Sequence, residues 1–139
     1  INNDLERIGD LSVDIAKHAI KIFKGDVVSH SFDFSELFLR VREMLKNSLD
    51  SLIRMDASIA DKVLNEDDRV DELNRIFCEQ VLDAMKENPK QAHTLVQFMH
   101  VSKRLERIGD HATNMAEDVI YLVTGEIVRH GTGLNPYHQ

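Results

Sequence analysis

The 139-residue chain has one cysteine, two prolines, six glycines, no tryptophan and few aromatic residues. A single thiol, Cys78, excludes an internal disulfide and suits a reducing compartment. With no Cys or His partner at ligand spacing, it reads as a small core hydrophobe. No run approaches the roughly 18 apolar residues needed to span a bilayer, and no secretory leader is read. No alternating pattern of the strand type appears, and both prolines and all glycines but Gly9 and Gly109 sit at the ends of long helical periods or beyond them. Basic clusters are also missing: the net charge is -7 and the pI is near 5.4. Such a surface repels nucleic acid. The expected location is the cytoplasm, and the expected size class is one modest domain with a proper core.

What is present is a repeat. Leu5-Glu6-Arg7-Ile8-Gly9-Asp10 recurs letter for letter as Leu105-Glu106-Arg107-Ile108-Gly109-Asp110. At the same offset Ala16 matches Ala116, Ile20 matches Ile120, Gly25 matches Gly125, Val28 matches Val128 and His30 matches His130. Identity over that length points to an internal duplication of a long helical unit.

Four helices are predicted. The first covers residues 1 to 24, with Leu5, Ile8, Ile15, Ala19 and Ile22 along its seam and Gly25-Asp26 as a stop. A connector follows to Asp33, where Asp33 or Ser35 can cap a second helix to about Arg54. Asp56 caps a third helix to about Glu87. Asn88-Pro89 opens a fourth, which stops at Gly125. Its seam is Phe98, Val101, Leu105, Ile108, Ala112, Met115, Val119 and Leu122, at alternating spacings of three and four. The expected fold is all-α, an antiparallel three-helix bundle over residues 34 to 130. Residues 1 to 33 would be one leftover helix and a connector from a preceding repeat. Residues 131 to 139, with two glycines and a proline, are expected to form a flexible tail. The chain opens on Ile1, already inside a helical pattern, and is expected to be the tail of a longer protein.

Glu106, Asp110 and Asn114 form a row at i, i+4, i+8 on the side away from the apolar seam, with Glu6, Asp10 and Asp14 as its copy. Such a row repels itself unless a cation rests against it. Oxygen ligands on successive turns suit a hard ion. Asp67 and Asp71, again i, i+4 apart in the densest acidic segment, offer a second source of ligands. Paired carboxylates on an exposed helix face are also ordinary solvation, and spacing alone does not choose. A mid-helix glycine costs about 1 kcal/mol against alanine, so Gly9 and Gly109 suggest close backbone approaches. An enzymatic reading, a carboxylate-bridged oxidase, needs inward Glu-x-x-His ligands. Here Gly109 and Ile120 stand three residues after Glu106 and Glu117, and no enzyme is expected.

With this doubled motif on the helices of an acidic chain, the sequence resembles the PhoU family of phosphate-uptake regulators. The family signature, Glu/Asp-x-x-x-Asp-x-x-x-Asn, matches Glu106, Asp110 and Asn114 in full. It matches Glu6 and Asp10 in part, with Asp14 in place of the asparagine. The Asn65 to Asp71 run is similar to the family's middle-helix acidic segment. The resemblance implies surface clusters of iron or zinc, which together with the hard ions that suit the oxygen row makes Fe, Zn, Mn or Mg the expected metal, and it implies a negative regulator of the phosphate-starvation response. It also implies partnership with the phosphate ABC transporter's ATPase and a phosphate-sensor histidine kinase. Homo-oligomerisation is expected because the leftover helix would lack its own partners. The alternatives are a PhoU-like domain appended to a sodium-phosphate cotransporter and a purely structural helical adaptor.

Overall fold

The computed structural model describes residues 1–128, and the tail expected over 131–139 lies outside them. Helices α1 (Asn2–Lys24), α2 (Ser35–Arg54), α3 (Ala57–Glu87) and α4 (Ala92–Thr124) account for nearly all described residues, and no strand is found among them. A single 3-10 turn, Pro89–Gln91, intervenes before α4.

Local chemistry sets the boundaries. Asp56 caps α3 by accepting from the Ser58 backbone N–H at 2.8 Å, satisfying one of the orphan donors of a helix start. The α2–α3 turn is made by Met55 in the left-handed region at φ 51°, a conformation costing a non-glycine residue about 1 kcal/mol. Gly125 ends α4 in that same region at φ 74°. Its copy, Gly25, is extended at the end of α1, and a Cβ there would lie 2.5 Å from Thr94 Oγ1. The close approach expected at Gly9 and Gly109 is therefore found at Gly25. A methyl group at Gly109 would meet Val70 Cγ1 at an ordinary 3.5 Å, and at Gly9 nothing lies within 4 Å.

Helices α2, α3 and α4 form the antiparallel bundle. Arg40 of α2 reaches Glu66 of α3 at 2.6 Å and Arg69 reaches back to Glu36 at 3.1 Å, so those helices run in opposite directions. Asn74 of α3 accepts from Ser102 of α4 at 2.7 Å, and both side chains are buried. Helix α4 is the centre: α1, α2 and α3 all pack on it, whereas α1 packs on α4 alone. The expected α4 seam is buried from Val101 to Val119, while Leu122 at its end is exposed. The connector is pinned by aromatics, with Phe34 stacked on Phe77 at 4.4 Å and Phe32 against Phe98 at 5.0 Å.

The seam expected for α1 is only half right. Ile8 is buried and Ile15 and Ile22 are half-buried, but Leu5 and Ala19 are exposed and Leu11 is buried in their place. Helix α1 carries two apolar faces, and the one docked on α4 is rotated from the one the duplicated motif marks. Its second face, Leu5, Val13, Ile20 and Phe23, lies open. Between α1 and α2, floored by Leu105 and Ile108 of α4, runs an apolar slot of about 340 Å³.

Candidate metal centre

Asp67 and Asp71 project from the same side of α3, flanking Val70, which is buried beside Gly109 of α4. That contact, together with the Asn74–Ser102 hydrogen bond, sets the register of the two helices. The register brings Asp110 opposite the α3 pair. One oxygen from each of Asp67, Asp71 and Asp110 lies within 4.8 Å of the others, and this is the one such group of three or more His, Cys, Asp or Glu among the described residues. The Thr113 hydroxyl steadies Asp67, sitting 3.0 Å from its Oδ1 and 3.1 Å from the Gly109 carbonyl.

The electrostatics are those of crowded like charges. Asp110 is pushed up to about 6, first by desolvation and then by Glu106, Asp67 and Asp71. Its edge is open to water while protein crowds its other sides. Asp71 is raised for the same reasons, desolvation foremost, with Asp67, Glu106 and Asp68 adding repulsion. Three carboxylates held this close favour either a shared proton or a cation.

The other sequence-derived candidates scatter. Glu106 stands one turn before Asp110, near enough to raise both Asp71 and Asp110, and its own Oε2 lies 3.5 Å from Lys103 Nζ. Asn114, one turn after Asp110, turns to α1, where its Nδ2 donates to Asp4 Oδ1 at 3.4 Å. On α1, Glu6 is exposed, Asp10 lies 3.9 Å from Arg7, and Asp14 sits 3.7 Å from Lys17 and 3.9 Å from Arg104. The copied row thus faces cations and solvent, and no further carboxylates converge on it among the described residues. Asp4 had no signal in sequence. It pairs with His111 Nδ1 at 2.9 Å across the α1–α4 interface. Burial works against its ionisation, but hydrogen bonds led by that from His111 hold it below the usual carboxylate range. Only an i, i+107 contact reveals it, which no local pattern encodes.

The donor set at Asp67, Asp71 and Asp110 is all oxygen, partly exposed and anionic, the chemistry of a hard divalent or trivalent cation. Mg, Mn and Fe fit it better than Zn, whose protein sites favour nitrogen and sulfur.

The family model for the PhoU domain matches residues 34–119. A phosphate-specific transport system accessory protein PhoU homolog from Clostridium acetobutylicum is 41% identical over 132 residues, covering 92% of this chain and 58% of that protein. A protein of the same description from Pseudomonas aeruginosa is 36% identical over 128 residues, covering 91% of this chain and 53% of that one. The crystal structure of PhoU from Pseudomonas aeruginosa superposes with a TM-score of 0.82 at 34% identity, over 88% of this chain and 59% of that one. The chain thus spans between half and three fifths of the length of these relatives. With the family model over most of the α2–α4 bundle and such relatives along nearly its whole length, this chain belongs to the PhoU family.

Proposed function

We propose that this chain is the metal-holding part of a cytoplasmic regulator of phosphate uptake, one that restrains the phosphate-starvation response through protein partners. The observation that carries the metal reading is the convergence of Asp67, Asp71 and Asp110 from two helices. The relatives' description as accessory proteins of a phosphate-specific transport system supports the process. Placement beside a membrane transporter rather than within the bilayer agrees with the helices, none of which is long and apolar enough to cross a membrane among the described residues. Asp67, Asp71 and Asp110 would hold the ion, with Glu106 close by. When bound, it would supply positive charge on a surface that otherwise repels anions, giving phosphate a place to dwell. The role is binding and signalling rather than catalysis. The partners that fit it are the phosphate ABC transporter's ATPase and the phosphate-sensor histidine kinase.

Calorimetric titration with Mn, Fe, Zn and Mg tests the site. Saturable binding, strongest for Mn or Fe and lost on replacing Asp67, Asp71 and Asp110 with Asn, is expected. Absence of saturable binding, or binding indifferent to those substitutions, would remove the metal from the account. The partner assignment is tested by immobilising the metal-loaded chain. Retention of the purified ATPase or kinase cytoplasmic domain supports it, and retention of neither overturns it.

Homo-oligomerisation belongs to the same reading. The open α1 face ends on Phe23, which is 90% exposed, and a second copy could cover it. Light scattering at high concentration should then give a mass above 15.9 kDa, falling on Ile20→Asp with Phe23→Asp. A monomer at all concentrations refutes self-association.

A further inference from the structure

The C-terminal half of α1 meets α4 through a stacked pair of imidazoles. The rings of His18 and His100 lie with centroids 4.7 Å apart and planes 23° from parallel. Each Nδ1 is engaged. His18 Nδ1 lies 2.7 Å from Gln97 Oε1 and so donates to it. His100 Nδ1 lies 3.3 Å from Arg104 Nη1 and so accepts from the guanidinium. Gln97 is itself buried, with its Nε2 donating to the His93 carbonyl at 3.4 Å. His100 is therefore seated as a neutral imidazole, because a guanidinium only donates.

A proton added to His100 would land on the nitrogen that Arg104 occupies, turning a hydrogen bond into a repulsion. A proton on either ring also places a charge against its stacked neighbour. The charged groups around the stack are mostly positive: Lys21 comes from α1 and Arg104 from α4. Asp14 of α1 is the carboxylate Arg104 reaches, at 3.9 Å. Helix α2 and helix α3 do not pack on α1, so this half is held on α4 by the stack, by Ile15 and Ile22 against the core, and by the approach of Gly25 to Thr94. The N-terminal half is anchored differently, by the Asp4–His111 pair.

We propose that the His18–His100 stack is an acid-sensitive latch, closed at neutral pH and released in mild acid, that frees the C-terminal half of α1 from α4. His100 is held below its ordinary 6.5, by burial first and then by His18, Arg104 and Lys21. The docked state takes up this proton less readily than the released helix does. Docking is therefore complete above about pH 6.5 and weakens as pH falls through the window beneath it.

Hydrogen exchange read by mass spectrometry on the 139-residue protein tests this at pH 7.5 and 5.5, with rates corrected for chemical exchange. Amides of residues 15–24 should exchange several-fold faster at the lower pH, about tenfold being the ceiling for a released imidazole of ordinary 6.5 at one unit below that value. Amides of residues 4–11 should change less. The difference should vanish in His18→Asn with His100→Gln. Equal protection of residues 15–24 at both pH values overturns the proposal, as does an acid response that survives the double variant. Should the double variant release α1 already at pH 7.5, His100→Gln alone decides, a lost acid response supporting the latch and a retained one overturning it.

Discussion

Asp110→Asn is expected to raise the melting temperature of the metal-free chain by about 3 °C while lowering its affinity for Mn or Fe at least about tenfold. The two effects have opposite signs because one carboxylate serves both ends. In the folded chain Asp110 titrates near 6 against an ordinary 3.8, burial and three neighbouring carboxylates being the cause. A group raised in this way stabilises the fold in its protonated form. The stabilisation is whole below about pH 3.8 and lost as pH rises through about 6. For a fully sequestered carboxylate the loss would be about 3 kcal/mol, and screening at the exposed edge reduces it to about 1 kcal/mol. Asparagine imitates the protonated acid at every pH, so the neutral-pH penalty disappears together with a ligand. Scanning calorimetry in EDTA and again in excess Mn measures both. The wild type should gain the more from metal, and the order of the two melting temperatures should invert. A metal-free variant melting below wild type, or an unchanged affinity, contradicts the assignment.

Leu105→Ala should cost about 3 kcal/mol, while the same change at its copy, Leu5→Ala, should cost under about 1 kcal/mol. The two leucines sit in identical hexapeptides, yet Leu105 is 5% exposed and Leu5 is 40% exposed. Leu105 belongs to the main core with Ile108, Val41 and Met44, where truncation leaves a void that α1 and α2 cannot both close. Leu5 looks outward from the second face of α1. Urea unfolding of the two variants gives the comparison directly. Equal losses would mean that Leu5 is covered in solution, as self-association through α1 would cover it.

That pair also shows where the sequence was legible and where it was not. Most helix ends were readable to within a residue or two, because Asp56 and Gly125 are local start and stop signals, but Asn88-Pro89 opens a 3-10 turn and α4 itself begins three residues later, at Ala92. The core face of α4 was readable for a different reason: a helix surrounded on three sides leaves little choice of which residues to bury. Helix α1 defeated the same reading because it has apolar residues on two faces and only one neighbour here. Nothing in its own letters says which face that neighbour takes. The i, i+4 spacing put Asp67 and Asp71 on one side of α3 from the outset. The position of Asp110 across from them depends on how far α4 is slid along α3, and sliding leaves no trace in periodicity. Asn114 is the counterexample within the same motif, drawn to Asp4 of α1 although its spacing from Asp110 equals that of Glu106.

The Asn74–Ser102 hydrogen bond has a bearing on how that slide is arrested. Both groups are buried between two helices whose surrounding contacts are mostly apolar and would tolerate several alignments. Displacing one helix by a turn would strand an amide and a hydroxyl in a dry interior, at about 1–3 kcal/mol for each orphan. The pair thus behaves as a detent, a notch at which two otherwise greasy rods click into a single alignment. Acidic side chains one to two helical turns away inherit that alignment without having to enforce it against their own repulsion.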